Sequence, residues 1–201
     1  MPPISESQAH QVKLWLTRNF GPQLNAAIAN TPFDINLLCA IAGKEAALYW
    51  LKWIDTHPPE FVLARCVFDA SGDAPNTSRG AFPQNTLAFH QRYGDAFTQD
   101  LIGEANQTRA LRGLPAASWV YKGYGIFQYD LQYVGADTAF FQQKQWGEFQ
   151  ACLDRALSEL KTKYAHYKDL RTTVRAYNGS GPSAEAYADD VMTLLAWCSE
   201  V

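Results

Sequence analysis

The chain has 201 residues, of which 47% are hydrophobic and 18% are charged. This balance is typical of a folded globular protein and excludes a disordered chain. The net charge is −3 and Lys and Arg form no cluster, so nucleic acid is not expected as a partner. No run of about 18 apolar residues occurs, so we expect no membrane span.

The N-terminal segment Met1–Phe20 mixes polar and charged side chains with apolar ones, and it lacks the continuous apolar stretch of a secretory signal. The cysteines are widely spread, without a Cys-x-x-Cys pair or a histidine at zinc-finger spacing; they are Cys39, Cys66, Cys152 and Cys198. We expect buried free thiols, with one disulfide as the alternative. We expect neither a metal nor a cofactor.

Two helices are predicted in the first quarter of the chain. Apolar residues recur every four positions over Ser5–Phe20, which indicates a helix that ends before Gly21-Pro22. Asp34 is a good N-cap for a second helix, predicted from Ile35 to about Ile54.

The middle of the chain is predicted to contain a loop, then two helices, then a β-prone segment. A stretch rich in Gly, Pro, Ser, Asp and Asn predicts a long loop at Asp69–Asn85. Helical patterns follow at Thr86–Tyr93 and Asp95–Leu111. The β-prone aromatic segment Leu114–Asp130 then predicts a short β hairpin or an extended turn.

The last third of the chain is predicted to be helical. A long amphipathic helix is expected over Phe149–Tyr164, a shorter one over Leu170–Tyr177, and a final one that begins at Pro182 or Ser183. The inward positions of the final helix are Tyr187, Val191, Leu194 and Cys198. Because no repeat or linker is visible, we predict one mainly α (α+β) domain over residues 1–201.

One carboxylate lies on the apolar side of the second predicted helix. On a helical wheel, the side chain of Glu45 lies within about 60° of Leu38, Ile41 and Leu48. Burial raises the pKa of a carboxyl group, and a glutamic acid that keeps its proton near neutral pH can protonate the leaving oxygen of a glycosidic bond. The alternative is an acid at the edge of the stripe that reaches solvent or leans towards Lys52.

Two short motifs follow further along the chain. In Gly123-Tyr124-Gly125-Ile126-Phe127-Gln128, the glycines permit a tight turn, and the flanking aromatic rings offer flat faces to sugars. Asn178-Gly179 is typical of a helix C-terminus, and Asp130 is a candidate N-cap. Each of these features alone is also typical of ordinary turns and helix ends.

Taken in this order, the glutamate helix, the Gly-x-Gly-x-x-Gln turn and the Ala176-Tyr177-Asn178 helix end resemble the motifs of the lysozyme-like superfamily. The nearest branches are the goose-type lysozymes and the soluble lytic transglycosylases. The resemblance implies a lysozyme-like helical fold in which the three motifs meet in one cleft. It also implies that Glu45 is the general acid.

The resemblance assigns further roles around Glu45. It implies that Gly125, Phe127 and Gln128 form the cleft wall, chiefly through their backbone and the Gln128 side chain. Tyr177 would form a hydrogen bond near the carboxylate, and Asn178 would contact a sugar. The goose-type pattern has an Asp two positions after the Gln. Asp130 is therefore the candidate second carboxylate.

This chain departs from the family pattern in three places. Ala46 occupies the position after the glutamate where transglycosylases have Ser, and Phe127 replaces the usual Met. The separation of Glu45 from Gly123 is also longer than in the family. A helical insertion at about 55–114 is therefore predicted, and we expect it to border the cleft.

The expected activity is cleavage of the β-1,4 link between N-acetylmuramic acid and N-acetylglucosamine in peptidoglycan, outside the cytoplasm in the periplasm or cell wall. The match at Asp130 favours hydrolysis. A lytic transglycosylase that gives anhydro-muramic products, a chitinase or chitosanase, and a non-catalytic glycan-binding relative are the alternatives. Peptidoglycan or a related amino-sugar polymer is the expected partner, and a protein partner such as an inhibitor or immunity protein is left open.

Overall fold

The computed structural model describes Met1–Val201 and is 64% helix and 3% strand, which confirms the prediction of a mainly α chain. The chain divides into two compact units. The terminal unit consists of Met1–Thr56 and Leu153–Val201, and the middle unit consists of His57–Cys152. None of the helices combines the length and hydropathy needed to cross a bilayer.

The terminal unit contains four complete helices and most of a fifth. These are α1 (Glu6–Ile28), α2 (Ile35–Trp50), α7 (Phe149–Tyr167, from Leu153 onward), α8 (Leu170–Asn178) and α9 (Pro182–Cys198). Helix α2 packs against α1 and α9, and α9 also packs against α8. The four positions predicted to face inward on α9 are buried, and they are Tyr187, Val191, Leu194 and Cys198.

Helix α1 is longer than the sequence predicted. Its start is fixed by a capping box, in which Ser5 and Gln8 each accept a hydrogen bond from the other's backbone amide. The prediction that it ends before Gly21-Pro22 was wrong, because the chain only bends at Phe20 (φ −134°, ψ 18°) and continues to Ile28. Pro22 lies in the first turn after this bend, where a missing amide proton removes no helical hydrogen bond.

Helix α2 is the most buried helix of the terminal unit. Asp34 caps it as predicted, accepting a hydrogen bond from the Leu37 amide at 2.8 Å. The helix ends at Trp50 and not near Ile54, because the following residues form turns in which amides bond to carbonyls three positions back. Every residue from Leu37 to Gly43 is buried, so this half of α2 has no solvent-facing side.

The middle unit is built from short helices and a small sheet. Its helices are α3 (Pro59–Ala64), α4 (Thr86–Tyr93), α5 (Asp95–Leu111) and α6 (Thr138–Gln142), with 3-10 turns at Leu131–Gly135 and Gln145–Gly147. The bounds of α4 and α5 match the prediction. The predicted insertion segment therefore contains α3, α4 and α5.

The predicted hairpin is present as β2 (Gly123–Tyr124) and β3 (Tyr129–Asp130), which pair in antiparallel fashion. A third strand, β1 (Val67–Phe68), pairs with the other edge of β2 and was not predicted. A strand of two residues is too short to produce an alternating pattern in the sequence.

The predicted loop, Asp69–Asn85, connects β1 to α4 and is tied to the hairpin segment by two ion pairs. The fully buried ammonium of Lys122 donates to Asp73 Oδ2 at 2.5 Å, and burial lowers the pKa of Lys122. Arg79 donates to Asp130 Oδ1. This long loop is therefore anchored by paired charges and not by an apolar core of its own.

All four cysteines are buried free thiols, as expected. Burial raises the pKa of Cys39 and Cys66 well above the ordinary thiol value and raises the pKa of Cys198 to about 11. Thiols in this state behave as small hydrophobic groups and not as nucleophiles.

Candidate active site

The residues proposed for the site are distributed over both units. Those of the terminal unit are Glu45, Tyr177 and Asn178, and those of the middle unit are Gly125, Phe127, Gln128 and Asp130. The two sets differ in how their polar groups are satisfied.

Glu45 lies in the third turn of α2, and its hydrogen-bond partner comes from α9. The hydroxyl of Tyr187 donates to Glu45 Oε1 at 2.6 Å. Lys44 is turned away and donates to Asp190 Oδ2 at 2.7 Å. The carboxyl group of Glu45 is therefore held by a neutral hydroxyl group and not by Lys52 or another cation.

Burial is the main influence on the charge of Glu45. It raises the pKa of this carboxyl to about 7, against an ordinary value of 4.5. The hydrogen bond from Tyr187 and the positive charge of Lys44 lower this pKa, and the negative charge of Glu159 raises it. A carboxyl group with a pKa near 7 can give up a proton and take one back at neutral pH, as general acid–base catalysis requires.

Glu45 lies near the end of the buried part of α2. Leu38 and Ile41 are buried as the helical wheel predicted, but Leu48 is 40% exposed, so the predicted apolar stripe does not extend past Glu45. Glu45 itself is half-buried. It follows the buried run Leu37–Gly43, so its carboxyl is removed from water although the residue as a whole is partly exposed.

The neighbour of Glu45 on α9 was not predicted as part of the site. The resemblance assigned a hydrogen bond near the carboxylate to Tyr177, and that role stays a prediction; the hydroxyl that donates to Glu45 Oε1 belongs to Tyr187. Periodicity placed Tyr187 on the inward side of α9, but no local pattern connects it to a glutamate 142 positions earlier. Tyr177 is half-buried and close enough to Tyr187 that its charge would raise the pKa of the Tyr187 hydroxyl.

Asn178 is the last residue of α8 and is exposed. The helix ends at Gly179, which has a φ of 128° that residues with a side chain rarely adopt. The predicted helix C-terminus is thus present, with the Asn178 side chain on the surface of the terminal unit. Its contact with a sugar stays a prediction.

In the middle unit, the glycine turn is closed by the glutamine that follows it. Gly125 has a φ of 78°, and a Cβ atom there would overlap the Cys152 sulfur. A Cβ atom on Gly123 would overlap Gln128 Oε1. The side-chain amide of Gln128 donates to Gly125 O at 2.7 Å and to Cys66 O at 3.3 Å. Gln128 therefore stabilises the turn, and its partial exposure leaves a role as a cleft wall open.

The expectation that the aromatic rings beside the turn offer their faces to sugars is wrong for Tyr124 and Phe127. Tyr124 is fully buried between Phe141 and Trp146, with ring centroids 5.2 and 4.9 Å away. Phe127 is buried against Phe149. Large apolar rings gain more free energy inside the unit than on its surface. A glycan contact at Phe127 would therefore use its backbone.

Asp130 fulfils the predicted capping role. Its Oδ1 atom accepts a hydrogen bond from the Gln132 amide at 2.7 Å, which begins the 3-10 turn at Leu131–Gly135. The same oxygen accepts a hydrogen bond from Arg79, whose side chain is only 11% exposed. Asp130 is thus a capping carboxylate with a cationic partner. The part played by Arg79 was missed because it lies 51 positions away in a loop without a motif.

Comparisons with protein-family models, with curated proteins and with solved structures found no match to this chain. Membership in the lysozyme-like superfamily therefore stays a prediction that depends on the motifs and on the chemistry of the residues that carry them.

Proposed function

We propose that this protein cleaves the β-1,4 link between N-acetylmuramic acid and N-acetylglucosamine in peptidoglycan, with Glu45 as the proton donor. The observation that carries the proposal is the desolvated Glu45 carboxyl, which belongs to a partly exposed residue, accepts a hydrogen bond from Tyr187 and has a pKa of about 7. Cleavage of a glycosidic bond requires a proton on the leaving oxygen as an oxocarbenium-like transition state develops. At neutral pH a substantial fraction of Glu45 molecules carries that proton.

Tyr187 contributes orientation in this proposal. Its hydroxyl donates to Oε1 of Glu45, so the proton of the neutral acid resides on Oε2 and is available to a substrate. When the proton has left, the same hydrogen bond stabilises the carboxylate that remains. The substrate places the activity outside the cytoplasm, in the periplasm or the cell wall.

Hydrolysis is the favoured outcome, with Asp130 as the base that orients the attacking water. Both observed contacts of Asp130 use Oδ1, which leaves Oδ2 for that water. The support for this role is the goose-type spacing of Gln128 and Asp130.

A lytic transglycosylase is the second candidate, and the contacts of Asp130 give the reason. Asp130 already has a structural task, because it caps a turn and pairs with Arg79. In a transglycosylase the substrate's own 6-hydroxyl attacks, and Glu45 acts first as acid and then as base. A pKa of about 7 suits both steps.

The test is mass spectrometry of the muropeptides that the protein releases from purified sacculi, with chitin and chitosan incubated in parallel. Reducing muramic ends indicate hydrolysis, and anhydro-muramic ends indicate transglycosylation. Release of fragments from chitin or chitosan alone would reassign the substrate. Binding to sacculi without release would indicate a non-catalytic glycan-binding protein.

The matched variants are Glu45→Gln and Glu60→Gln. Glutamine keeps the shape of Glu45 but has no transferable proton, so the rate should fall by on the order of 10² or more. Glu60 is exposed in the first turn of α3, and its variant should retain the wild-type rate. Undiminished release by Glu45→Gln would remove Glu45 from the mechanism.

A further inference from the structure

Three side chains with the chemistry of metal ligands converge in the terminal unit. Glu6 and His10 are four positions apart on α1 and so lie on one face of the helix, and Glu200 follows α9. One ligand atom from each of the three lies within 4.8 Å of the others. This cluster has no role in the proposed glycan cleavage.

One nitrogen of the His10 imidazole lacks a hydrogen-bond partner. Its Nε2 atom is shielded from solvent and has no hydrogen bond. The nearest opposite charge is Glu200 Oε2 at 3.9 Å, which is too far for a hydrogen bond. A shielded polar atom without a partner destabilises the fold, and a group that bound it would remove that cost.

The backbone around the three residues is fixed by hydrogen bonds. The capping box of Ser5 holds the turn that begins with Glu6. The ammonium of Lys13 donates to Cys198 O at 2.9 Å and to Val201 O, on both sides of Glu200. The Glu200 amide also donates to Trp197 O at 3.2 Å. The ligands thus start from ordered backbone, and only their side chains need to move.

We propose that Glu6, His10 and Glu200 bind one zinc ion, with water as the fourth ligand. One imidazole and two carboxylates are a donor set that Zn²⁺ accepts, whereas Mg²⁺ and Ca²⁺ prefer oxygen ligands alone. Donors bound tetrahedrally at about 2.1 Å lie roughly 3.4 Å apart, so the carboxylates must approach by about 1 Å. Glu6 and Glu200 are both exposed and can rotate to do so. The ion would link α1 to the segment that follows α9.

The test is calorimetric titration of Zn²⁺ into the full chain after treatment with a chelator, with Mg²⁺ as the second titrant. We expect one zinc ion per chain with a Kd of about 10 µM or tighter, and no Mg²⁺ binding in that range. His10→Gln and Glu6→Gln should each weaken zinc binding by at least about tenfold. Zinc should also raise the Tm of the wild type and not that of either variant.

The control is His166→Gln, which removes an exposed histidine in the last turn of α7 and should leave zinc binding unchanged. Circular dichroism confirms that each variant is folded before titration. A wild type that binds no zinc at about 100 µM would overturn the proposal. Binding by His10→Gln with the wild-type Kd would also overturn it.

Discussion

The terminal and middle units each present one candidate carboxylate, and the two are surrounded in opposite ways. In the terminal unit, Glu45 is desolvated and has a neutral partner, the hydroxyl of Tyr187. In the middle unit, Asp130 has a cationic partner, Arg79, and also accepts a backbone amide hydrogen bond. The two candidate carboxyl groups thus lie in contrasting environments, and the proposed reaction uses that contrast to separate the proton donor from the second carboxylate.

The contrast also has opposite consequences for stability. The surroundings of Glu45 disfavour its charged form, so at alkaline pH the folded state is strained by a charge that water no longer solvates. The Asp130 carboxylate faces a cation, Arg79, and this ion pair is lost when the carboxylate is neutralised. Substitutions that neutralise the two carboxylates should therefore change the free energy of unfolding in opposite directions.

The largest expected effect is the change that Glu45→Gln makes in the pH dependence of the free energy of unfolding. The pKa of Glu45 is about 7 in the folded state, against the ordinary value of 4.5 that applies in the unfolded chain. At a pH between these two values, the folded protein therefore binds more protons than the unfolded chain. Wild-type stability therefore falls as pH rises from about 4.5 to 7, by at most about 3 kcal/mol. Glu45→Gln avoids this loss, so it should be more stable than wild type at pH 8 and differ little at pH 4.

Urea unfolding of wild type and variant at both pH values measures this difference, and Glu60→Gln serves as the control with no such pH dependence. If the difference between Glu45→Gln and wild type is the same at pH 4 and pH 8, the carboxyl of Glu45 is not desolvated, and the contrast with Asp130 is lost.

The next effect is the coupling between Arg79 and Asp130. Asp130→Asn keeps the cap, because Asn caps about as well as Asp, but it removes the nearer of the two anions beside a largely buried Arg79, whose other anion is Asp69 Oδ2 at 3.9 Å. Asp130→Asn should therefore lower the free energy of unfolding, and so should Arg79→Gln. The double variant should recover about 1–2 kcal/mol of the summed loss.

Denaturant unfolding of the four proteins completes this cycle. Additive losses would show that the ion pair is only a surface contact. The cycle also bears on activity assays, since a decrease in rate for Asp130→Asn has to be separated from its effect on folding.

The smallest effect is expected for Tyr187→Phe. The hydroxyl of Tyr187 lowers the pKa of Glu45, so its removal should raise that pKa further above 7. In the proposed reaction Glu45 acts in its protonated form, so the alkaline limb of the pH–rate profile should move to higher pH. The free energy of unfolding should fall by about 1 kcal/mol for the lost hydrogen bond. The control is Tyr167→Phe, at a tyrosine that is 39% exposed, and its pH–rate profile should not move. An alkaline limb of Tyr187→Phe that moves to lower pH would contradict the assigned geometry.

Local chemistry allowed much of the fold to be predicted. Asp34 gave the start of α2, Asn85 caps α4 where the helical pattern begins, and Gly94 separates α4 from α5. The prediction errors occurred where two local rules conflict or where no local rule applies. Pro22 indicates a helix end, but it is tolerated just after a bend, and the short strand β1 has no pattern of its own.

The site was harder to predict because its decisive contacts are long-range. The sequence indicated that Glu45 is desolvated, but it attributed this to an apolar stripe that fails at Leu48. Tyr187 and Arg79 were each recognisable only as an ordinary member of its helix or loop. Their partners lie 142 and 51 positions away, respectively, and no spacing rule reaches that far.

The hydrogen bond between Tyr187 and Glu45 also sets an order of events during synthesis. The ribosome makes α1 and α2 early, then the whole middle unit, and α9 only afterwards. At about 5–20 residues per second, the buried part of α2 waits roughly 7–30 s for the helix that covers it. The middle unit is continuous in sequence and can form during that interval. Until α9 leaves the ribosome, Glu45 is an ordinary, solvated carboxylate. The nascent chain therefore lacks the carboxyl group with a raised pKa that the folded protein has.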